Sequence, residues 1–564
     1  MNRNISTIIV LILLLIPLVV FFMVWDYYAI NIPKWDDHSL KAFIVEMTKA
    51  EHWQQQWVAI TKQHNEHRIA LTRLIAWADY QLAGALNYRH LMIAGNLLLL
   101  AAFPLFFTIL KRNKKPLFAL VPIPFLWLTL AFWENMYWGM ASVQNFGVIT
   151  LVLWTIYWAI QPGNGLFALS LLMACLTVLT SGNGLMVLPI VAVLLFLSRK
   201  PQRLAIWVVM SAGAIFCYFY WYNSNVSNPA TKAGLFDLLK GYMAFLGAFA
   251  ESVPVPNSFQ VCILVGSALF LVAISITLNT LYRLSKNKYG SRNEKILDLF
   301  SLGALMFILG TAVVVVYSRA GFGLEGLITS RFKIYSVLLL IIAYLYIVVP
   351  IRGSFLCPYI SAITLMAVIF NIFSYHFHLV DAVNLRKMLS TDQFNWTYTN
   401  KKLELPPETD FAQTIMAKTP VNYTQWFEAI KLADKQGYAG PTQGLSALLK
   451  EISFKESPLN LQVNNVNFTS QRLQDSGVYI LLSNKDRYYV YPTYRTRNRN
   501  RKQLFLKQYY FAPGFYSEVP FNQLTKGTYK LGIIRQEGDK IGILFQNETL
   551  NVPEVKVEKI EVNW

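Results

Sequence analysis

The amino-terminal segment TIIVLILLLIPLVVFFMV, residues 7–24, is apolar almost throughout, and the chain turns polar soon after it. Its length is close to the roughly 20 residues that a helix needs to cross the hydrocarbon core of a bilayer. The segment lacks a small-residue cleavage site and ends in Trp25-Asp26-Tyr27-Tyr28. We therefore predict a retained membrane anchor with aromatic side chains at the interface, and not a cleaved signal peptide.

The composition predicts that the whole chain is an integral membrane protein. Its 564 residues are 55% hydrophobic and only 14% charged, with a mean hydropathy of +0.38. The net charge of +19 would suit nucleic acid, but many Lys and Arg residues lie in short loops between apolar segments, where they set topology. We expect the lipid bilayer as a partner, and no nucleic acid. The four cysteines show no paired spacing, which argues against a disulfide framework or a zinc site.

Eleven apolar segments could cross a bilayer, although several are shorter than the usual length of roughly 20 residues. Basic loops follow the second, sixth, eighth and tenth of them, so a single cytoplasmic assignment satisfies the positive-inside rule. The N-terminus is then cytoplasmic, and everything after the last segment is exoplasmic. The segments lie near residues 7–25, 90–110, 117–133, 146–160, 166–180, 185–198, 204–222, 259–282, 297–317, 334–350 and 355–375.

Two other regions complete the predicted architecture. Residues 232–251 are apolar but contain Asp237 and Lys240, so we predict an amphipathic helix in the outer interface and not a further span. From about residue 376 the composition changes: residues 380–452 look helical, and residues 458–564 contain alternating strand patterns separated by turn residues. The predicted fold class is a mainly α membrane protein with about eleven transmembrane helices in residues 1–375. The prediction also includes an exoplasmic loop at residues 26–89. It ends with a C-terminal exoplasmic α+β domain at residues 376–564, whose last part is a β-sandwich-like sheet.

With this topology the distinctive polar residues all face outward, as expected when chemistry takes place on the exoplasmic side. The inner loops offer little beyond Lys, Arg and turn residues. The first outer loop holds two clusters, and three later outer loops hold the others. These candidate site residues are Asp36 and Asp37; His64, Glu66, His67 and Arg68; Trp133, Glu134, Asn135 and Gln144; and Arg319 and Arg331, with a glycine turn at Ser181-Gly182-Asn183-Gly184.

Each cluster also has a purely structural interpretation. Asp36-Asp37 would cap a helix that starts at Ser39. On a helix, His64 and Arg68 would share one face as a solvated ion-pair surface, and the aromatic residues from Trp133 onward would form an interfacial belt. As a metal site, the two histidines lack a convincing third ligand. Basic residues such as Arg319 on the outer side oppose the positive-inside bias, and a phosphate or carboxylate partner would explain them.

The residues favour group transfer from a lipid-linked donor over other chemistry. The spans hold almost no central charged residue, which argues against an ion-coupled transporter. A phosphate-binding glycine loop and a Ser-His-Asp motif are both lacking in the sequence. Transfer needs a carboxylate base for the acceptor hydroxyl, cations for the departing lipid phosphate, and aromatic and amide groups for the sugar. The outer loops contain all of these residue types.

The arrangement resembles the GT-C superfamily of polytopic glycosyltransferases, which use polyprenyl-phosphate or polyprenyl-diphosphate sugars. In that group the first exoplasmic loop carries an acidic motif with the catalytic base, and Asp36-Asp37 occupies the matching position here. The resemblance covers the architecture of residues 1–375 and the presence of an exoplasmic C-terminal domain. No second acidic pair follows in the next outer loop, only Glu134, so the donor class and any requirement for a divalent metal stay open.

The resemblance implies an inverting glycosyltransferase in the inner membrane that acts on the periplasmic face. It would take a polyprenyl-phosphate-linked sugar as donor and a cell-envelope glycan or lipid as acceptor. Asp36 or Asp37 would be the base, with Glu66 as the substitute. The arginines would hold lipid phosphate, the other candidate residues would line the sugar site, and the C-terminal domain would help to bind the acceptor. The alternative is a non-catalytic lipid-glycan flippase or envelope scaffold, in which the polar groups would stay scattered.

Overall fold

The computed structural model describes residues 3–223, 233–253, 255–399, 424–471, 473, 476–484 and 487–555. The chain forms two compact units, which we call unit 1 and unit 2. Unit 1 comprises Met1–Asp26, Glu46–Leu82 and His90–His378, and unit 2 comprises Tyr27–Val45, Ala83–Arg89 and Leu379–Trp564. The predicted first outer loop is therefore divided between the two units.

Among the described residues, nine helices are long and apolar enough to cross a membrane. Two shorter apolar helices, Asn164–Val178 and Gly182–Leu197, occupy the positions of the fifth and sixth predicted segments. The mainly helical, multi-pass membrane architecture is thus confirmed, while the count of eleven spans stays a prediction. The nine are Thr7–Tyr28, Tyr88–Arg112, Leu117–Met136, Gly139–Ile160, Pro201–Phe219, Ser258–Ser285, Arg292–Phe322, Ser330–Val348 and Gly353–Tyr398.

Polar contacts join the loops that follow the even-numbered helices. Arg112 donates a hydrogen bond to the side chain of Gln161 (2.8 Å), and Arg203 donates to the Gln161 carbonyl (2.7 Å). Asn293 donates to the carbonyl of Arg112 (2.8 Å). Loops after the second, fourth, sixth and eighth helices therefore lie at one end of unit 1. This is the result expected if successive helices, including the two short ones, alternate in direction.

A short helix forms within the region predicted to lie in the membrane interface. It spans Leu235–Leu246 and continues into a 3₁₀ turn at Ala248–Ser252. Its 12 residues are too few to cross a bilayer, since a span needs roughly 20. Leu235 and Phe236 are exposed at its start, whereas Phe245 is buried. Its location in the outer interface stays a prediction.

Glycine allows this short helix to pack closely against the span Ser258–Ser285. A Cβ atom at Gly266 would overlap the carbonyl oxygen of Met243, and one at Gly247 would overlap the carbonyl oxygen of Cys262. Backbones can approach this closely only where small residues face one another. The two helices are thus held in contact by two glycines on opposite sides of the interface.

The substitution Gly266→Ala should lower the free energy of unfolding by about 1–3 kcal/mol, because the added methyl group overpacks this interface. Gly213→Ala is the matched control: it also lies within a spanning helix, but its Cβ would meet no atom within 4 Å. Thermal unfolding of the detergent-solubilised variants would measure the difference. Equal stability of the two variants would contradict the interpretation of the contact.

Outside the spans and the two shorter apolar helices, the described part of unit 1 contains three α-helices and one small hairpin. The helices are those at Trp53–Thr61 and Ala70–Ala83 and the short helix Leu235–Leu246. The hairpin consists of β1, Gln63–His64, and β2, His67–Arg68. In unit 2 the helices include Thr424–Gln436, Leu445–Lys450 and Arg501–Leu506. The helix Ser39–Lys49 begins in unit 2 and ends in unit 1. The helix Leu356–Thr399 has 44 residues, and its part from Leu379 onward belongs to unit 2.

The described residues of unit 2 form two antiparallel sheets, in agreement with the predicted β-rich C-terminal region. The five-stranded sheet has the order β3-β10-β9-β6-β7, and the three-stranded sheet has the order β4-β5-β8. The strands are β3 Tyr438–Ala439, β4 Ser453–Glu456, β5 Asn460–Asn465, β6 Gly477–Ser483, β7 Tyr488–Pro492, β8 Phe515–Pro520, β9 Gly527–Glu537 and β10 Lys540–Val552. Residues 400–423, part of the predicted helical region, lie outside the described residues.

Both faces of the larger sheet are covered. One core cluster joins Val463 of β5 to Ile480 of β6 and Ile533 of β9, so the two sheets pack face to face. On the other face, Trp426 and Ile430 of the helix Thr424–Gln436 pack with Tyr479 and Leu481 of β6. Because side chains alternate along a strand, a strand covered on both faces reads as a continuous apolar run, as β6 does.

Candidate functional site

The histidine-rich cluster forms a hairpin. β1 and β2 are antiparallel, with His64 opposite His67 and Gln63 opposite Arg68. Asn65 in the turn has a positive φ of 47°, a conformation that Asn tolerates better than most residues. The expectation that His64 and Arg68 share one face of a helix was therefore wrong, because the chain reverses at Asn65.

Arg68 fastens this hairpin to the end of the span Pro201–Phe219. Its guanidinium donates hydrogen bonds to the carbonyl oxygens of Tyr218 (2.6 Å), Tyr220 (2.5 Å) and Thr61. Its side chain is buried, and burial lowers the pKa of the guanidinium. The structure therefore places Arg68 on backbone carbonyls, where it positions the hairpin.

Glu66, at the tip of the hairpin, contacts a different span. Its carboxylate forms an ion pair of 3.1 Å with Arg319, which ends the helix Arg292–Arg319. The hydroxyl of Tyr222 donates to the backbone carbonyl of Glu66 at 3.1 Å. The Glu66 and Arg319 side chains are 20% and 31% exposed, so a solute could reach both.

His67 lies against the glycine turn that follows the fifth helix. A Cβ atom at Gly182 would come within 2.6 Å of His67 Nδ1, so any larger residue there would displace the His67 ring. Within the part of the chain that the structure describes, Nδ1 is buried and has no hydrogen-bond partner. Burial lowers the pKa of His67, as do the charge of Arg319 and, more weakly, His64, while Glu66 opposes the change. The turn itself is joined to Gln144, whose side chain donates to the Ser181 hydroxyl at 3.4 Å.

A chain of amide contacts extends from the start of the fourth span to the start of the tenth. Asn145 donates to the side-chain oxygen of Asn135 at 2.7 Å, and Asn135 donates to the Arg331 carbonyl at 3.0 Å. The backbone N–H of Glu134 donates to the Ser330 hydroxyl at 3.1 Å. Trp133 begins the same helical turn as Glu134. Four of the predicted outer loops thus take part in two connected groups of contacts.

Gln144 and Asn145 project from a π-helical turn at Ser142–Phe146. Such turns are rare and occur mostly at functional sites, since the extra residue re-aims the side chains that follow. Arg331, next to these amides in the contact chain, has a buried Nε atom without a hydrogen-bond partner among the described residues. Both features are consistent with a polar ligand.

One buried cluster escaped the sequence interpretation. Lys333 forms an ion pair with Glu251 and lies 3.2 Å from His378 Nε2. The Ser252 hydroxyl lies 3.2 Å from the same ring atom. Lys333 and His378 are 1% and 2% exposed. The sequence does place Lys333 near the start of an otherwise apolar span. A charged residue at such a position requires a partner or a function, so this lysine could have indicated the cluster.

Asp37 has the structural role foreseen as an alternative. A 3₁₀ turn, Trp35–His38, leads into the helix Ser39–Lys49. The backbone N–H of Lys34 donates to Asp37 Oδ2 at 3.0 Å, and Asp37 is completely buried. Its carboxylate therefore stabilises the start of this helical segment.

Asp36 is partly exposed, and its carbonyl accepts a hydrogen bond from the Ser39 hydroxyl at 2.7 Å. Its carboxylate is thus the more accessible member of the acidic pair. Both aspartates belong to unit 2, whereas Glu66 and the other candidate residues belong to unit 1. The candidate residues are therefore divided between the two units.

No group of three or more His, Cys, Asp or Glu side chains suited to a metal ion occurs in the described part of the chain. The histidines of the hairpin lie next to Glu66, but the carboxylate of that residue is paired with Arg319. The residues present therefore do not form a recognisable metal centre.

Comparisons with known proteins supply no family for this chain. No family model matches it, and no match was found among curated proteins. A solved structure, ArnT from Cupriavidus metallidurans in the apo state, aligns with 80% of this chain and 96% of its own. The sequence identity is 14% and the TM-score is 0.34. This TM-score is too low to establish a shared fold, so the function proposed below rests on the chain's own residues.

The lowered pKa of His67 predicts a loss of stability in acid. The unfolded chain takes up a proton near the ordinary histidine pKa of about 6.5, whereas the partly buried ring of His67 in the folded protein does so only at lower pH. Stability is therefore full above about pH 6.5 and declines as the pH falls through the window below it. Melting temperatures measured from about pH 7.5 down to about pH 5.5 should fall for the wild type and less steeply for His67→Gln.

His52→Gln is the matched control, because His52 is an exposed histidine in the same unit. It should keep the acid sensitivity of the wild type. If His67→Gln were as acid-sensitive as His52→Gln, the imidazole of His67 would not be the source of the pH dependence.

Proposed function

We propose that this protein is a GT-C-like inner-membrane glycosyltransferase that acts on the periplasmic face. It transfers a sugar from a polyprenyl-phosphate-linked donor to a glycan or lipid of the cell envelope. The observation that carries the proposal is the ion pair between Glu66 and Arg319, which joins residues from distant loops at a partly exposed position. The Arg319 guanidinium is a phosphate-binding group of the kind that such a transfer requires, and the Glu66 carboxylate beside it is one of the candidate bases.

The proposed reaction is a single displacement at the anomeric carbon. A carboxylate takes the proton of the acceptor hydroxyl, the acceptor oxygen forms a bond to C1, and the bond from C1 to the phosphate oxygen breaks. The polyprenyl phosphate leaves with the bonding electron pair, and one displacement inverts the configuration at C1. Asp36 is our first choice for the base because its carboxylate is more exposed than that of Asp37, and Glu66 is the substitute.

Arg319 and Arg331 are proposed to hold the phosphate of the donor. Arg suits this role because its planar guanidinium binds phosphate through two parallel hydrogen bonds. The buried, unpartnered Nε of Arg331 supplies one donor, within the described part of the chain. Arg68 was also predicted to bind phosphate, but its donors already bind carbonyl oxygens, so we assign it to positioning Glu66.

The sugar of the donor is proposed to lie along the amide and aromatic groups. Asn135 and Gln144 offer amide hydrogen bonds, Trp133 offers an apolar ring face, and Glu134 can accept from sugar hydroxyls. His64 and His67, which belong to the hairpin, would help to hold its conformation.

A non-catalytic lipid-glycan flippase or envelope scaffold is the alternative. The observation that favours it is that Glu66 and Asp37 already have partners within the protein, as expected of purely structural carboxylates. Analysis of envelope glycans and lipids in cells with and without the gene separates the two functions. A glycan that lacks one sugar indicates the transferase, whereas an unchanged set of glycans with an altered distribution across the membrane indicates the flippase.

The acidic pair gives the sharpest test of the enzyme. Purified Asp36→Asn should lose transfer from a polyprenyl-phosphate sugar by about 100-fold or more, the range expected when a general base is removed. Asp37→Asn should lower the melting temperature, because it weakens a helix cap worth about 1 kcal/mol. Radiolabelled sugar transfer and thermal unfolding measure the two effects separately.

Glu46→Gln is the control for this pair of variants. Glu46 is an exposed carboxylate paired with Lys62 at 2.7 Å, and a surface pair of this kind contributes little to stability. It should retain both transfer and stability. Full transfer by both Asp36→Asn and Asp37→Asn would show that neither aspartate is the base.

A further inference from the structure

The connection between β7 and β8, residues 494–514, forms an element of unit 2 that we call the arm. Isolated antiparallel bridges and a hydrogen bond from the Asn498 N–H to the Tyr510 carbonyl (2.8 Å) hold its two sides together. The helix Arg501–Leu506 forms the tip of the arm. The arm lies outside the candidate site, and the proposed function assigns it no role.

The arm packs along the long helix Leu356–Thr399. The side chain of Asn384 exchanges two hydrogen bonds with the backbone of Arg495, at 3.0 and 3.2 Å. The Val380 N–H donates to the Tyr510 hydroxyl at 2.9 Å. Val380 precedes Asn384 by about one helical turn, and Tyr510 is closer to the tip of the arm than Arg495 is. From Arg495 onward the arm therefore follows the long helix back toward its amino-terminal, apolar part.

These contacts lie where the chain leaves its apolar segments. No Asp, Glu, Lys or Arg occurs between Arg352 and Asp381, so the apolar part of the long helix ends beside Val380. Burial is the main cause of the raised pKa of Tyr510, and the nearby Asp381 and Tyr28 raise it further. Tyr28 is the last residue of the first helix. The arm therefore lies next to the ends of two apolar helical segments.

The tip combines two adjacent apolar side chains with basic ones. Phe505 and Leu506 are 76% and 81% exposed, the largest exposed fractions among the large apolar side chains described in unit 2. Residues 487–517 contain no Asp or Glu. Four exposed basic side chains flank the apolar pair: Arg499, Arg501, Lys502 and Lys507.

This combination is typical of a surface that docks on anionic lipid. Basic side chains are attracted to the negative surface of a membrane, and Phe and Leu leave water favourably when they enter the boundary between headgroups and acyl chains. A solvated basic loop would explain the four charges but not the exposed Phe505 and Leu506. A neutral apolar partner would explain these two residues but leave the charges without a counterpart.

We propose that the tip of the arm docks on anionic phospholipid headgroups, on the side of the membrane where unit 2 lies. Phe505 and Leu506 enter the interface between headgroups and acyl chains, and the four basic side chains contact lipid phosphates. Docking adds a surface attachment to the two chain connections that already tie unit 2 to apolar helices. The inference does not depend on the proposed transfer reaction.

A nitroxide label at Leu506→Cys tests the docking in the full-length protein, after alanine has replaced the four native cysteines. Electron paramagnetic resonance compares the collisions of the label with lipid-soluble oxygen and with a water-soluble nickel chelate. In nanodiscs that contain phosphatidylglycerol we expect protection from nickel and access to oxygen. Phosphatidylcholine alone or high salt should restore access to nickel, because each removes or screens the attraction between the arm and the lipid.

Leu459→Cys is the matched control for the labelled position. Leu459 is also an exposed leucine of unit 2, at 66%, but it lies in the turn between β4 and β5, close to Glu456. A label there should stay accessible to nickel in both kinds of nanodisc.

Charge removal tests the basic side chains directly. In the Leu506→Cys protein, Arg501→Gln and Lys502→Gln should each lower the ratio of docked to free arm by about fivefold, the size expected for one basic residue near an anionic surface. Lys455→Gln and Lys526→Gln are the controls, since both lysines are exposed elsewhere in unit 2, and they should leave the ratio unchanged. Melting temperatures check that all four variants are folded.

Three results would overturn the proposal. They are equal access of nickel to the labels at positions 506 and 459, equal protection at position 506 with and without phosphatidylglycerol, and unchanged docking when Arg501 and Lys502 are both replaced by Gln. The second result would indicate that the tip enters a bilayer through its apolar residues alone. Lipid-dependent protection in a protein without transfer activity would support the docking and remove the transferase function alone.

Discussion

At the end of a membrane helix, the last backbone carbonyls need hydrogen-bond donors from outside the helix. Arg68 supplies these donors at the end of the span Pro201–Phe219. The last carbonyls of a helix have no partner within the helix, and an unsatisfied group near lipid costs several kcal/mol. Arg68 donates to the carbonyls of Tyr218 and Tyr220. The same side chain belongs to β2, so satisfying this helix end also fixes the hairpin. Glu66 at the hairpin tip is thereby held near Arg319, and His67 near Gly182.

Arg73 strengthens the same attachment one turn further along the chain. Its guanidinium donates to the carbonyls of Ile60 (3.3 Å) and Lys62, which lie on the approach to the hairpin. Burial lowers the pKa of Arg73 to about 10, so it keeps its charge at neutral pH. Arg68 and Arg73 therefore both donate to backbone carbonyls. In contrast, Arg319 pairs with the carboxylate of Glu66, and Arg331 has a buried Nε atom without a hydrogen-bond partner in the part of the chain that the structure describes.

The sequence predicted the elements whose signals are local. The lengths of the apolar segments located the membrane helices, and strand-like residue patterns located β6, β7, β9 and β10. Both kinds of pattern can be read from one segment of the chain without knowing its distant partners. The hairpin was missed, since His64 and Arg68 are spaced as on a helix and only a distant helix end decides otherwise. The pairing of Lys333 with Glu251 was missed for the same reason: 82 residues separate them. The functional roles of the candidate site residues stay predictions, because contacts alone do not assign chemistry.

The modest strength of the Glu66–Arg319 pair is what suits it to the proposed reaction. Both side chains are partly exposed, and exposed ion pairs contribute only about 0–1 kcal/mol to the stability of a folded protein. The phosphodiester of the donor carries one negative charge, as a carboxylate does, and its two non-bridging oxygens can accept from the guanidinium in the same way, so it can replace Glu66 on Arg319 at little cost. Arrival of a lipid-phosphate donor would then release the Glu66 carboxylate beside the donor itself. A fully buried pair would resist such an exchange, because separating it strands an uncompensated charge.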